Sequence, residues 1–138
     1  MDKMLYMFAL ARKAGKAELG EEPVGAAARA LHAHLIIVAS DASDHTWRRA
    51  KSFAAGTDQQ CIRVQYTKDE LGMTIGRQEL AIAAITDTGM ALSMVESLGQ
   101  PEKHAAVEEV LKAKKQRTLQ RQKEARAHQK NVRFGKKK

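Results

Sequence analysis

The sequence predicts an α/β protein: a three-layer α/β/α sandwich with a small, mostly parallel mixed sheet, followed by a basic C-terminal helical extension. Apolar strand-like segments alternate with helical segments of about ten residues along the first 99 positions. Residues 35–39 and 81–85 are continuously apolar, as is typical of strands covered on both faces. Lys and Arg are concentrated after Gly99.

The first two helices follow from apolar residues at helical spacing. Met4, Phe8 and Ala11 recur at that spacing, and this apolar run of eight residues after Asp2 is too short and too acidic for a secretory leader. No stretch approaches the roughly 20 apolar residues of a membrane span, so we expect a cytoplasmic protein. The second helix has Pro23 in its first turn and a predicted buried stripe: Val24, Ala27, Ala28 and Leu31.

The sequence also predicts the remaining elements of the sandwich. A third helix buries Trp47, Ala50, Phe53 and Ala54. A strand with one polar face follows, in which apolar side chains alternate with polar ones: Ile62, Val64 and Tyr66. Thr67 and Glu70 form a capping box for the fourth helix. Gly72 is expected to allow close packing, and Gly76 to end that helix.

Composition narrows the classes of function. The chain has 138 residues, a formal charge of +8 and only 4% aromatic residues, too few for an aromatic-rich reader of single strands. One cysteine, Cys61, excludes an internal disulfide and a multi-cysteine zinc site, and it indicates a reducing compartment. Cys61 opens an apolar strand, which favours a small core residue over a nucleophile.

The positive charge belongs to the end of the chain. Residues 1–99 hold 11 basic and 12 acidic side chains, whereas residues 100–138 hold 13 basic and 4 acidic ones. We therefore predict an α/β/α domain over 1–99 and a basic extension over 100–138, helical and then irregular. Its composition is typical of polyanion binding, with a solvated solubility tail as the alternative. Because few apolar residues follow Leu111, we expect the extension to become ordered on an anionic partner.

The start of the second helix is a candidate binding site. Gly20 lacks a side chain where free backbone N–H groups and the positive end of the helix dipole can meet a phosphate. Glu21 and Glu22 oppose phosphate but can accept hydrogen bonds from a guanine edge; alternatively, they only complement the helix dipole. The exposed face of the helix is predicted to carry mainly small side chains beyond its first turn, and it includes Gly25, Ala26 and Arg29.

Other candidate sites have simpler interpretations. Asp41 and Asp44 follow a central strand, where phosphoryl or metal chemistry is conceivable, but they also suit a strand-to-helix turn with a spare N-cap. The histidines His32, His34 and His45 are expected at the surface. The sequence shows no catalytic triad, dinucleotide-binding or P-loop pattern, so we expect no enzymatic activity and no cofactor.

Five segments follow one another in a distinctive order: residues 10–16, 20–22, 35–43, 70–72 with Gly76, and 83–87. In this order they resemble the kink-turn RNA-binding ribosomal proteins of the L-seven-Ae and L-thirty type, and most closely their small bacterial homologues. The resemblance implies a non-catalytic α/β/α sandwich that binds a sharply bent RNA beside sheared G·A pairs. It also implies that the start of the second helix contacts the guanines and that a loop before the last strand covers an extruded nucleotide.

The family signature at the second helix is G-x-N-E-x-x-K, and this chain keeps its glycine as Gly20. Glu22 stands at the Asn position, Pro23 at the Glu position and Ala26 at the Lys position. The covering loop corresponds to residues 77–80. The signature therefore implies the fold and RNA binding, whereas the kink-turn target rests on one retained residue of four.

Together these observations predict a bacterial-type ribosomal or ribosome-associated protein that binds structured RNA, with ribosomal RNA as the expected target and neighbouring ribosomal proteins as further partners. No membrane, metal or small-molecule substrate is expected. The alternative is a small regulatory or ligand-binding module that uses Asp41 and Asp44 with a metal. The predicted RNA-binding residues are Lys16, Gly20, Glu21, Glu22, Arg29, Arg77, Gln78, Glu79, Leu80, Lys112, Lys114, Lys115, Arg117, Arg121, Lys123, Arg126, Lys130, Arg133, Lys136, Lys137 and Lys138.

Overall fold

A computed structural model describes the backbone of residues 2–135 and the side chains of residues 2–128. The elements, in chain order, are α1 (Lys3–Lys13), β1 (Ala17–Leu19), α2 (Glu21–Arg29), β2 (Leu35–Val38), α3 (Asp44–Ala54), β3 (Gln60–Arg63), α4 (Lys68–Thr74), β4 (Ile82–Ile85), α5 (Thr88–Ser97) and α6 (Pro101–Gly135). The predicted α/β/α sandwich with a C-terminal helix is confirmed.

The four strands form one mixed sheet in the order β1-β4-β2-β3. β2 pairs with β3 in parallel, whereas β4 is antiparallel to both of its neighbours, β1 and β2. The expectation of a mostly parallel sheet is therefore wrong. It rested on the apolar character of the strands, but β4 is apolar because it lies between two strands and beneath two layers of helices, and such coverage does not require parallel pairing.

The helices cover the sheet from both sides. α2 and α3 contact each other and form one layer, while α1, α4, α5 and α6 are joined by contacts of α1 with α4 and α5, and of α5 with α6. Every residue of β2 and β4 is buried. Phe8, Leu71 and Met94 are among the large side chains that fill the core.

The first turns of α3 and α4 are both capped by side chains, and the cap of α4 is the one that its sequence predicts. Ser43 caps α3 by accepting a hydrogen bond from the N–H of Thr46. Both halves of the Thr67–Glu70 capping box are formed at α4. Short polar motifs predict these helix ends well because capping depends on residues three positions apart.

The end of α2 differs from the expected pattern. The helix ends at Arg29, and Leu31 is 60% exposed with φ at +62°, although the spacing predicts that it is buried. Gly25 differs from its prediction in the opposite direction, since it is buried rather than exposed. It was expected on an exposed face, but it is buried beneath Phe53 of α3, whose ring would lie 3.1 Å from an added Cβ atom. The stripe that faces the protein is therefore rotated toward α3.

The extension is more regular than expected. Its backbone is helical through Gly135, with a kink at His104, and residues 136–138 lie outside the described residues. The expected change from helical to irregular chain does not occur within the described part. Leu111 is fully buried, and α6 packs on α5 and contacts the edge strand β3, so burial supports the first half of this helix. Ordering by RNA remains a prediction.

Gly72 offers a test of how tightly the loop before β4 is held. An added Cβ atom would lie 2.6 Å from the Cα atom of Glu79, a backbone position that cannot move away cheaply. We expect Gly72→Ala to lower the free energy of unfolding by about 1–3 kcal/mol, as overpacking does. Gly89→Ala, whose new Cβ atom would meet only a carboxylate oxygen of Asp87 at 3.4 Å, is the matched control and should be near neutral in denaturant titrations.

Candidate nucleic-acid interface

The start of α2 lies at the end of the sheet where β4 begins, directly after the loop of residues 76–81. The N–H of Gly20 donates a hydrogen bond of 3.0 Å to the carbonyl oxygen of Ile82, and Leu19 is paired with Ala83 in the sheet. Gly20 has φ at +96°, a conformation that L side chains rarely adopt, so a glycine is required at this turn. We name this region, Gly20–Glu22 together with residues 77–79, the loop-end surface.

The loop of residues 76–81 is held in place from beneath. Leu80 is buried, and its N–H donates to the carbonyl oxygen of Lys68 at 2.9 Å. Glu79 packs its backbone against Gly72. Arg77, Gln78 and Glu79 are consequently exposed on a fixed base, whereas Leu80, which was predicted to contact RNA, serves as the anchor of the loop.

The two acids at the start of α2 have different environments. Glu21 accepts a hydrogen bond of 2.7 Å from Nε of Arg49 on α3, while Glu22 is exposed. The Arg49 guanidinium also lies over the Phe53 ring, 5.2 Å from its centroid. Arg49 was missed by the sequence reasoning, since its partner is 28 residues away and no local pattern connects them. Of the pair, Glu22 alone presents an uncommitted carboxylate to a ligand.

Lys16 lies at the opposite end of the sheet from Gly20, because β1 separates the two residues. The N–H of Thr86 donates to the carbonyl oxygen of Lys16 at 2.8 Å, which fixes that end of β1 beside β4. A groove of about 520 Å³ extends from Lys16 along α2, where Pro23 and Ala26 line it. At Ala26, α2 therefore has the exposed small side chain that was predicted for this face.

The basic side chains of α6 divide into docked and free groups. Lys114 is only 7% exposed, and its Nζ atom lies 3.1 Å from Oδ1 of Asp58 and 3.3 Å from Nδ1 of His34. Arg117 is exposed but approaches the same carboxylate at 3.7 Å. Lys114 was predicted to contact phosphate; the structure uses it to attach α6 to the sandwich instead.

The other cations predicted on α6 are accessible as far as the structure describes them. The exposed ones are Lys112, Lys115, Arg121, Lys123 and Arg126. The side chains of Lys130 and Arg133, and all of Lys136, Lys137 and Lys138, lie outside the described residues. Arg29, near the end of α2, is exposed as well. The accessible positive charge thus lies mainly on α6, away from the loop-end surface.

Titratable groups at the α6 junction are shifted in the direction that docking requires. Burial, together with the positive charge of Lys114, lowers the pKa of His34. The hydrogen bond from Lys114 lowers the pKa of Asp58. Burial also lowers the pKa of His104 at the kink of α6. The junction therefore favours neutral histidines and an ionised aspartate.

The aspartates and histidines do not converge. Asp41 accepts a hydrogen bond of 2.8 Å from the N–H of Lys68 and so supports the start of α4, while Asp44 is the first residue of α3. No group of three or more His, Cys, Asp or Glu side chains suited to a metal occurs within the described part of the chain. The Cys61 thiol is packed at the edge of the core, where burial raises its pKa to about 12.

Among the residues that the structure describes, no helix combines the length and apolar character needed to cross a bilayer.

No protein-family model and no curated protein matches the sequence. Solved structures do. A Bacillus halodurans protein of unknown function is 25% identical, with a TM-score of 0.67, over 72% of this chain and 99% of its own. A 15.5-kDa RNA-binding protein of Giardia lamblia is 16% identical, with a TM-score of 0.58, over 72% of this chain and 84% of its own. The fold is therefore shared with a protein that binds RNA.

The α6 junction predicts how stability depends on pH. The lowered pKa values of His34 and His104 mean that the unfolded chain binds more protons than the folded one as pH falls through 6.5. The free energy of unfolding should therefore decrease between pH 7 and pH 5. His34→Gln should flatten this decrease in thermal or denaturant unfolding, whereas His45→Gln, at an exposed position on α3, should leave it unchanged. An unaltered profile for His34→Gln would contradict the assignment.

Proposed function

We propose that this protein is a non-catalytic RNA-binding protein of the L-seven-Ae type, ribosomal or ribosome-associated, that recognises folded RNA through the loop-end surface. The observation that carries the proposal is the hydrogen bond of 3.0 Å from the N–H of Gly20 to Ile82, the first residue of the strand into which the loop of residues 77–80 leads. It joins the two segments that the family resemblance assigns to RNA. The RNA-binding protein of Giardia lamblia supports the proposal because it shares this fold.

The backbone at the start of α2 has the chemistry of a phosphate contact. Gly20 already donates to Ile82, Pro23 has no N–H, and the N–H of Val24 is bonded to the carbonyl oxygen of Gly20. The N–H groups of Glu21 and Glu22 thus lie in the first turn without partners in the helix. A phosphate that approaches the bare Gly20 turn would be bound by these two donors and the helix dipole.

The side chains around that turn can read a base edge. The carboxylate of Glu22 can accept hydrogen bonds from N1–H and the amino group of a guanine, while Arg49 holds Glu21 away from this task. Arg77 and Gln78 are exposed on the anchored loop before β4 and supply donors for a splayed nucleotide. This set differs from the family signature but serves the same geometry, so we propose a bent RNA with an exposed guanine edge as the target.

Long-range attraction then comes from α6. Residues 1–99 carry 11 basic and 12 acidic side chains and attract a polyanion weakly, whereas the exposed cations of α6 attract it strongly. Phosphate contacts raise affinity without reading sequence, and the contacts of the loop-end surface select the site. Ribosomal RNA offers many bent helices, and it therefore suits a protein in which the loop-end surface selects the site and α6 supplies the attraction.

Selectivity tests the loop-end surface. We expect the protein to bind a kink-turn hairpin more tightly than the same hairpin without its G·A pairs, and Arg77→Ala to reduce this preference about 10-fold, as the loss of one specific contact does. Arg48→Ala, which removes an exposed cation from α3, should lower both affinities alike. Fluorescence anisotropy with the two labelled hairpins measures the six dissociation constants of the wild type and the two variants. Equal binding of both hairpins by the wild type would contradict kink-turn recognition.

Salt dependence tests the contribution of α6. Because Leu111 and Lys114 are buried, the extension must be cut beyond them, and a chain ending at Gln122 keeps the docked part while it removes seven cations. If about four of these neutralise phosphates, the slope of log affinity against log salt should become shallower by about 3. An unchanged slope, with an unchanged thermal midpoint as the folding control, would refute this role of α6.

A further inference from the structure

Leu31 occupies a backbone position that normally belongs to glycine. After α2 ends, the N–H of Leu31 donates to the carbonyl oxygen of Ala28 and the N–H of His32 donates to that of Ala27. This is the Schellman pattern of helix ends. The residue at the position that Leu31 occupies has a positive φ in this pattern and is usually glycine. Leu31, at φ +62°, is the one non-glycine residue with positive φ among residues 2–135.

The side chain of Leu31 gains nothing from the core in return for this strain. It is 60% exposed, so a large apolar group is held in water on an unfavourable backbone conformation. Strain of this kind persists where the surrounding structure or a ligand makes use of it. A glycine would end α2 equally well, and so the leucine side chain itself requires an explanation.

Leu31 lines a cavity of about 330 Å³ between the end of α2, the start of α5 and the docked part of α6. Three cations of α6 and one carboxylate face this cavity, together with two hydroxyl groups and an imidazole: Lys114, Arg117, Arg121, Asp58, Thr88, Thr118 and His34. Because Lys114 is paired with Asp58, the positive charge that the lining offers to a ligand comes from Arg117 and Arg121. His34 adds no charge near neutral pH, because burial lowers its pKa.

Several of these groups already have protein partners. Lys114 is bound by Asp58 and His34, and the hydroxyl of Thr118 donates to the carbonyl oxygen of Lys114 at 3.0 Å. Asp58 also lies 3.7 Å from Arg117. Arg121, one turn further along α6, is exposed at the open side of the cavity. The cavity thus combines a firm charged base with two arginine side chains at its rim.

We propose that this cavity, which we name the α6 pocket, binds a nucleotide of a single-stranded RNA segment, with Arg117 and Arg121 on its phosphate and Leu31 against its base. Arginine forks suit phosphate oxygens, and an exposed leucine offers an apolar face to a base. The inference rests on the proposed function and adds a second contact, at the far end of α2 from the loop-end surface.

The two contacts are within reach of one RNA strand. α2 has nine residues and is therefore about 13 Å long, a span of two or three nucleotides. The groove beside Pro23 and Ala26 runs along the same helix and carries no bulky side chain at Ala26. A strand that leaves the folded RNA at Gly20 can follow this groove toward Leu31. The protein would then read a bend together with its single-stranded flank.

The experiment compares three RNAs with the full-length protein. One is a kink-turn hairpin with blunt ends, and the other two are the same hairpin with a six-nucleotide adenosine extension at the 5′ end or at the 3′ end. The α6 pocket predicts at least 10-fold tighter binding of one extended hairpin. Equal affinity for blunt and extended hairpins would overturn the pocket and leave the proposed function standing. Failure of every hairpin to bind would overturn both.

Leu31→Gly separates a ligand role from a merely structural one. The substitution should raise the thermal midpoint by a few degrees, since glycine relieves the positive φ, and yet it should abolish most of the gain from the extension. If stability rises while the gain is retained, Leu31 is only a helix terminator and the proposal fails.

Charge-matched variants on α6 test the phosphate contact. Arg121→Ala should lower the gain from the extension several-fold, whereas Arg126→Ala, which removes an exposed cation beyond the pocket, should weaken the binding of blunt and extended hairpins alike. Equal effects of the two variants on the gain would show that α6 acts only as a diffuse positive charge, and would refute the pocket.

Discussion

The position of β4 at the centre of the sheet is the constraint on which both ends of this molecule depend. β4 is paired on one side with β1 and on the other with β2, and all four of its residues are buried. Its first residue, Ile82, accepts the hydrogen bond of Gly20, and the residue after its end, Thr86, donates to Lys16. A single strand of four residues thereby fixes the loop-end surface at one end and the groove along α2 at the other.

The docking of α6 is the second organising feature, and it makes the first part of the basic extension a component of the folded domain. Lys114 and Leu111 are buried, so the extension begins as part of the folded domain and becomes a projecting helix only beyond them. A buried lysine is stabilised by its carboxylate partner, here Asp58, and its charge is unavailable to a polyanion. Beyond Gln122, the two basic side chains that the structure describes, Lys123 and Arg126, are exposed.

Patterns within a short window predicted much of the fold. The buried strands, the capping box at Thr67 and the close packing at Gly72 all depend on residues near one another in sequence. The direction of β4 and the strand β1 were not predictable in this way, because β1 has only three residues and pairing direction leaves no trace in hydrophobicity. The exposure of Leu31 depends on where α2 stops, which its apolar spacing alone does not reveal.

For the candidate site, the sequence located segments but not the partnerships between them. Gly20 and residues 77–80 were identified separately, and only the sheet register shows that the start of α2 lies at the end of β4 that follows this loop. The pairs of Arg49 with Glu21 and of Lys114 with Asp58 join distant parts of the chain, so no motif could indicate which charges are free. Counting basic residues therefore overestimates the surface that faces a polyanion, and Lys114 is the example.

The contact of α6 with β3 has a consequence for solubility as well. β3 is an edge strand, and an uncovered edge offers unpaired backbone groups to the edge of another molecule. The opposite edge, β1, is protected by its length of three residues and by the exposed carboxylate of Glu18. Because the C-terminal helix contacts β3, we expect its docked half to hinder edge-to-edge pairing of this strand with another molecule, a benefit that is independent of any ligand.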